Sequence, residues 1–225
     1  CFISRCGGLR LLRRPASRID FERAPVTLVI TAVALAIELV CTFDPDGGRR
    51  HYLYNELQLG IFWPVWEGQL WRPFTTTLLH GSLLHAAFNI YWMITLGTAI
   101  ENHIRSARYL VFIIVVAYFS TMFQFYLTGL FGRVPSGMVG LSGVVYGLFG
   151  LMWIGRRYVP EWRWICNDDT VRLMIGWFFF CFVLSNFGMP IANWAHAGGL
   201  IMGYAVGGAV YDRNYKEAYR AATGV

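Results

Sequence analysis

A series of apolar stretches, each close to the length of a bilayer-crossing helix, limits what this chain can fold into. They run over 26–43, 82–100, 108–128, 139–155, 171–187 and 193–211. A helix needs about 20 residues to cross about 30 Å of hydrocarbon. Only closed hydrogen-bonding structures survive there, because no water satisfies the backbone N–H and C=O groups. Composition agrees, since 56% of the 225 residues are hydrophobic and 14% charged, against about 25% charged in an ordinary soluble domain. The expectation is an all-α integral membrane protein, a bundle of six transmembrane helices over 26–212. A basic segment, 1–25, precedes it and a tail, 213–225, follows it. The first span is short and carries Glu38, so its ends are the least defined.

The net charge of +6 suggests nucleic acid until the charges are placed. With the N-terminus set in the cytoplasm, fifteen of the nineteen Lys and Arg residues fall inside, and Arg49, Arg50, Arg72 and Arg133 fall outside. That asymmetry follows the positive-inside rule and puts both termini in the cytoplasm. The basic tail "RLLRRPASRIDFER" then fits anionic headgroups better than nucleic acid. The five cysteines form no CxxC pattern and only Cys41 lies near the outer face, so no disulfide is expected. Opening on Cys1 rather than Met is expected of an incomplete or trimmed N-terminus, and no cleavable signal peptide is evident.

The longest connection, 44–81, lies outside and holds Tyr52, Tyr54, Trp63, Trp66 and Trp71. It reads either as an interfacial aromatic belt or as a loop that packs against the helices from the outer leaflet. Spans two, four and six all run from outside to inside, so polar residues near their N-terminal ends share one depth. Span two offers His85 and Asn89, four residues apart and on one helical face. Span four offers Ser142 and span six His196. Span four is short, so its start lies below the outer surface, where free N–H groups could stabilise a developing oxyanion. Gly143, Gly147 and Gly150 in span four and Gly199, Gly203 and Gly207 in span six would let the two helices cross closely and bring Ser142 to His196. The alternative is that the glycines serve packing alone and Ser142 caps its helix.

These residues carry a resemblance. "GLSGVVYGLFG" is similar to the GxSG motif of rhomboid intramembrane serine proteases, with a tyrosine four residues after the serine. "WAHAGGLIMG" resembles the family's AHxxGxxxG, and "WRPFTTTLLHGSLLHAAFNIYWMITLGTAIE" resembles its WR loop motif followed by HxxxN and LGxxxE. The likeness covers about 20–212, with three motifs in order. It implies a protease acting on transmembrane protein substrates in the lipid bilayer, with no cofactor or metal. Ser142 would be the nucleophile and His196 the general base, a dyad without a third carboxylate. Tyr146 would pack on the imidazole, with Gly140 and Gly143 supporting the loop and helix start. His85, Asn89 and the Ser142 N–H would bind the oxyanion. Trp71 and Arg72 belong to the outer loop motif, and Glu101 to a contact at the inner end of span two.

The chemistry suits the setting. A serine hydroxyl is a weak nucleophile until a base takes its proton, and neutral imidazole costs less in hydrocarbon than a carboxylate. A helical substrate would enter sideways and unwind. The aromatic run "LMIGWFFFCFVL" of span five is either lipid-facing bulk or, with Phe88 against Trp177 or Phe178, a lateral gate lidded by "FGMPIAN". No HExxH is present and the spans hold no pair of aspartates, which removes the zinc and aspartyl routes. A transporter would need a polar path through the inner halves of the spans, which are nearly all apolar. A catalytically silent, client-binding relative is the stronger rival, although such relatives typically lack the Ser or His. His80 is either structural or a water ligand. A bacterial plasma membrane is the expected location.

Overall fold

A computed structural model describes residues 20–59, 67–130 and 139–212. The described residues are helical, with no strand. After a 3-10 turn at Phe21–Arg23 come α1 (Pro25–Thr42), α2 (Gly48–Leu57), α3 (Arg72–Thr75), a 3-10 turn at Thr76–Leu78, α4 (Leu83–Ile104) and α5 (Ser106–Leu130). Then follow α6 (Ser142–Gly155), α7 (Trp162–Ile165), α8 (Asp168–Asn186) and α9 (Asn193–Gly207), which ends in a π turn at Gly208–Asp212. Three of the expected spans, α1, α4 and α5, are long and apolar enough by themselves to cross a membrane. α6 is apolar but only 14 residues long, about 21 Å at 1.5 Å per residue. α8 spends its first turns on Asp168, Asp169 and Arg172, and α9 has 15 residues.

α6 is the central helix. All of its residues except Ser142 and Trp153 are buried, as a helix apolar on every side requires. Its closest partner is α9, and the reason is glycine. A Cβ placed on Gly199 would overlap the Gly143 carbonyl oxygen, and one on Gly203 would overlap the Gly147 carbonyl oxygen. The two backbones therefore touch without side chains between them. From the α6 side, a Cβ on Gly150 would come within 2.6 Å of the Leu200 carbonyl oxygen.

The other elements brace this pair. Buried Glu101, in the last turns of α4, accepts hydrogen bonds from Val26 N (3.0 Å), Thr27 N (2.9 Å) and Thr27 Oγ1 (2.8 Å). Its carboxylate thus satisfies the free N–H groups at the start of α1 and opposes the positive end of that helix. The structural contact expected of Glu101 is made here, at the C-terminal end of α4.

The described residues of the 44–81 connection pack against the bundle rather than standing free. Leu59, Leu78, Leu79 and His80 are buried, and Thr121 Oγ1 of α5 donates to the Pro73 carbonyl at 3.0 Å. Arg72 Nη1 donates to the Asn55 (2.6 Å) and Gln58 (2.8 Å) carbonyls at the end of α2, and its Nε to Gln69 Oε1. Trp71 and Tyr52 stay exposed. Trp63, Trp66 and Arg133 lie outside the described residues. Buried Glu38 of α1 meets Arg50 of α2 at 3.7 Å, which docks α2 on the bundle.

The glycine contact yields a prediction. Gly203→Ala pushes a methyl group into the Gly147 carbonyl, and overpacking of this kind costs about 1–3 kcal/mol. The unfolding midpoint in detergent is expected to fall by several degrees. An unchanged midpoint would contradict the backbone contact.

Candidate active site

Ser142 is the first residue of α6. Leu141 occupies the N-cap position and makes no side-chain cap bond. The serine therefore does not cap its own helix. Its Oγ lies 2.8 Å from His196 Nε2 on α9, across the glycine-mediated crossing. His196 is buried and Ser142 half-buried. For Nε2 to accept the hydroxyl proton, the ring must carry its hydrogen on Nδ1, which has no hydrogen-bond partner among the described residues.

The imidazole is held from its face instead. The Tyr146 ring lies one turn along α6, with its centroid 5.0 Å from that of His196 and its plane tilted by 32°. Tyr146 is fixed in turn, since its hydroxyl donates to the Met174 carbonyl of α8 at 3.0 Å and Phe178 packs edge-on at 5.7 Å.

α4 brings the remaining polar groups. Gly140 has φ +113°, a conformation that a side chain resists. A Cβ there would fall 2.8 Å from His85 Cε1, 3.0 Å from His85 Nε2 and 3.8 Å from Asn89 Nδ2. Glycine thus lets the segment before α6 lie against His85, with Asn89 one turn further on. Asn89 Nδ2 uses one hydrogen on the His85 carbonyl at 3.0 Å and retains another. Gly143 serves the same closeness on the α5 side, where a Cβ would meet Ser120 Oγ at 2.8 Å. Ser142, His196, His85 and Asn89 are therefore gathered at one end of three helices.

A small cavity opens beside Ser142, lined by Thr76, Thr77, Ser120, Thr121, Val139, Gly140, Gly143, Ala192 and Ala195. At ≈ 20 Å³ it has room for about one water. The hydroxyls of Ser120, Thr121, Thr76 and Thr77 were not singled out from sequence, nor was Gln124, whose Oε1 accepts from Ala195 N at 3.0 Å in the first turn of α9. A signal existed: "STMFQ" places Ser120 and Gln124 four apart in an otherwise apolar run, on one helix face.

Other expected residues lie away from the serine. Arg72 is engaged with the Asn55 and Gln58 carbonyls, and Trp71 is exposed. Phe88 and Trp177 meet between α4 and α8, with centroids 5.2 Å apart, and both are partly exposed. Phe178 turns inward, onto Tyr146 and Phe182.

With this geometry in place, comparison with known proteins decides the family. The Rhomboid domain family model matches residues 67–213. The chain belongs to the rhomboid family. It is 32% identical over 209 residues to the "Rhomboid protease GlpG" of Enterobacter sp. (strain 638), covering 88% of this chain and 68% of that protein. The proteins of the same name from Salmonella choleraesuis (strain SC-B67), at 32% identity, and Salmonella typhi, at 31%, match over the same shares. As a rhomboid with apolar helices of spanning length, the chain is a helical integral membrane protein.

The stacking of Tyr146 on His196 can be read by NMR. Tyr146→Phe keeps the ring and drops one hydrogen bond, at a cost of about 1 kcal/mol in stability, with the His196 ring-proton shifts close to wild type. Tyr146→Leu removes the ring current and should move those resonances downfield. Unmoved His196 resonances in Tyr146→Leu would contradict the stacking.

Proposed function

We propose that this rhomboid is a serine-type endopeptidase that cleaves transmembrane-helix substrates near the outer face of the membrane, through a Ser142–His196 dyad. The observation that carries the reading is the 2.8 Å contact between Ser142 Oγ and His196 Nε2, deep enough that His196 is 4% exposed. The names of the relatives, rhomboid proteases, support the activity. The six apolar stretches support six crossing helices, α1, α4, α5, α6, α8 and α9, and the charge asymmetry supports cytoplasmic termini with the site toward the outer surface. The bacterial sources of the relatives support a bacterial plasma membrane.

The chemistry runs as general-base and then general-acid catalysis. Ser142 Oγ attacks the scissile carbonyl carbon while its proton passes to His196 Nε2. The carbonyl oxygen becomes an oxyanion, held by donors from His85, Asn89 Nδ2 and the Ser142 N–H, which has no partner within its own helix. The C–N bond breaks as His196 returns the proton to the leaving amine, giving an acyl-enzyme on Ser142. Water then attacks that ester carbonyl, giving its proton to Nε2, and the serine leaves with the proton back on Oγ. Tyr146 holds the imidazole through both steps. A substrate helix must unwind to offer its peptide bond, because a helix satisfies its backbone internally. It enters between α4 and α8, where Phe88 and Trp177 form the gate and Phe178 backs it from inside.

The test is cleavage of a single-span substrate in proteoliposomes, with product termini read by mass spectrometry. Ser142→Ala and His196→Ala are expected to abolish cleavage with the fold retained. His85→Ala or Asn89→Ala is expected to lower kcat by about 10²–10³, the size of an oxyanion donor. Trp177→Ala is expected to raise cleavage of the membrane-embedded substrate and leave a soluble peptide unaffected. Cleavage surviving in Ser142→Ala would overturn the serine mechanism. Unchanged rates in Trp177→Ala would remove the gate. A folded wild type that cleaves nothing and only binds its client would favour the silent-relative reading.

A further inference from the structure

His80 is a histidine the proposed reaction does not use, and its surroundings are specific. Its side chain is fully buried, between the Thr76–Leu78 turn and α4. Nδ1 lies 3.2 Å from the Leu78 carbonyl, which places the ring hydrogen on Nδ1 and leaves Nε2 as an acceptor. That acceptor takes the Leu141 N–H at 3.4 Å, one residue before Ser142. Burial, with His85 adding to it, pushes the pKa of His80 down to about 4, so the ring stays neutral and Nε2 stays open. The backbone of His80 is anchored from outside, since the Tyr54 hydroxyl of α2 donates to its carbonyl at 2.6 Å. Its ring also meets the His85 ring edge-on, 5.1 Å between centroids and 71° between planes.

We infer that His80, anchored by Tyr54, is a positioning residue that fixes the Gly140–Leu141 peptide plane and so orients the oxyanion site at the start of α6. This rests on the serine-protease reading of Ser142. The physical reason begins with Gly140. At φ +113° with no Cβ, it leaves the next peptide plane free to swing at little cost. A trans peptide carries its N–H and C=O on opposite sides. Holding the Leu141 N–H on His80 therefore turns the Gly140 carbonyl away from His80 and sets the direction of the chain entering Ser142. A swung plane would change where the Ser142 N–H lies relative to His85, which His80 touches on its other side. One side chain thus registers two of the proposed oxyanion donors against each other. It reaches neither Ser142 Oγ nor His196 through any hydrogen bond of its own, so its effect is on geometry.

The experiment compares wild type, His80→Gln, His80→Leu and Tyr54→Phe in proteoliposomes. It measures the rate constant for fluorophosphonate labelling, kcat and KM on a single-span substrate, and the thermal midpoint. A glutamine can present its Oε1 where Nε2 accepts, while leucine fills space without an acceptor. His80→Leu is expected to lose about tenfold in kcat and labelling rate with KM within about twofold, and His80→Gln to recover most of it, the span one buried hydrogen bond can bias. Tyr54→Phe is expected to lose about two- to threefold in kcat, again with KM kept. Equal losses in His80→Gln and His80→Leu would show that ring volume alone matters and overturn the inference, as would wild-type rates in His80→Leu. If His80→Leu does not fold, Tyr54→Phe decides, and wild-type kcat there overturns it. A wild type that takes no label overturns the serine-protease reading itself, whereas a labelled wild type with indifferent His80 variants overturns this inference alone.

Discussion

Backbone contact between α6 and α9 sets the distance on which the rest of the molecule depends. With no side chain at Gly150, Gly199 or Gly203, carbonyl oxygens of one helix occupy the Cβ positions of the other. Within a membrane there is no hydrophobic drive to bring helices together, because lipid is as apolar as leucine, so close packing must supply it. The same closeness places Ser142 Oγ 2.8 Å from His196 Nε2. Any side chain in the seam would part the helices by more than a hydrogen bond can stretch. The Ser142–His196 contact is in this sense a product of the packing.

A second constraint is that polar groups at this depth need partners. Glu101 answers the start of α1, Gln124 answers Ala195 at the start of α9, and His80 answers Leu141 before α6. In each case a side chain of one element closes a helix beginning in another, so the helix ends are tied as well as the faces. The proposed oxyanion site is where this satisfaction is left incomplete. In the proposed mechanism the Ser142 N–H, the second hydrogen of Asn89 Nδ2 and the His85 ring serve the substrate, beside a cavity with room for about one water.

Much of this was legible in the sequence, for a physical reason. Ser142, His196, His85 and Asn89 stand out because hydrogen-bonding side chains are costly in apolar runs, and their positions at the starts of alternate spans put them at one depth. Their meeting could be argued because glycine at four-residue spacing marks a close crossing. What stayed hidden depends on pairing at long range. Nothing local indicates that His80 accepts from a residue 61 positions away or that Gln124 closes a helix 71 positions on. The choice of Trp177 over Phe178 as the partner of Phe88 depends on the rotation of α8, which a run of adjacent aromatics does not specify. The helical character of α2 was also obscured, because its tyrosines read as an interfacial belt, whereas Tyr52 stays exposed and Tyr54 ties α2 to the His80 carbonyl. By length and composition α1, α4 and α5 qualify as spans among the described residues, because α6 and α9 are short and α8 begins on charged residues.

The central claim is that His196 activates Ser142, and the most direct measurement is a peptide map of the protein after reaction with a fluorophosphonate. One phosphonyl group per molecule is expected on Ser142 in wild type and none in His196→Ala. A folded wild type that takes no adduct, or an adduct on Ser142 that forms equally in His196→Ala, would contradict it.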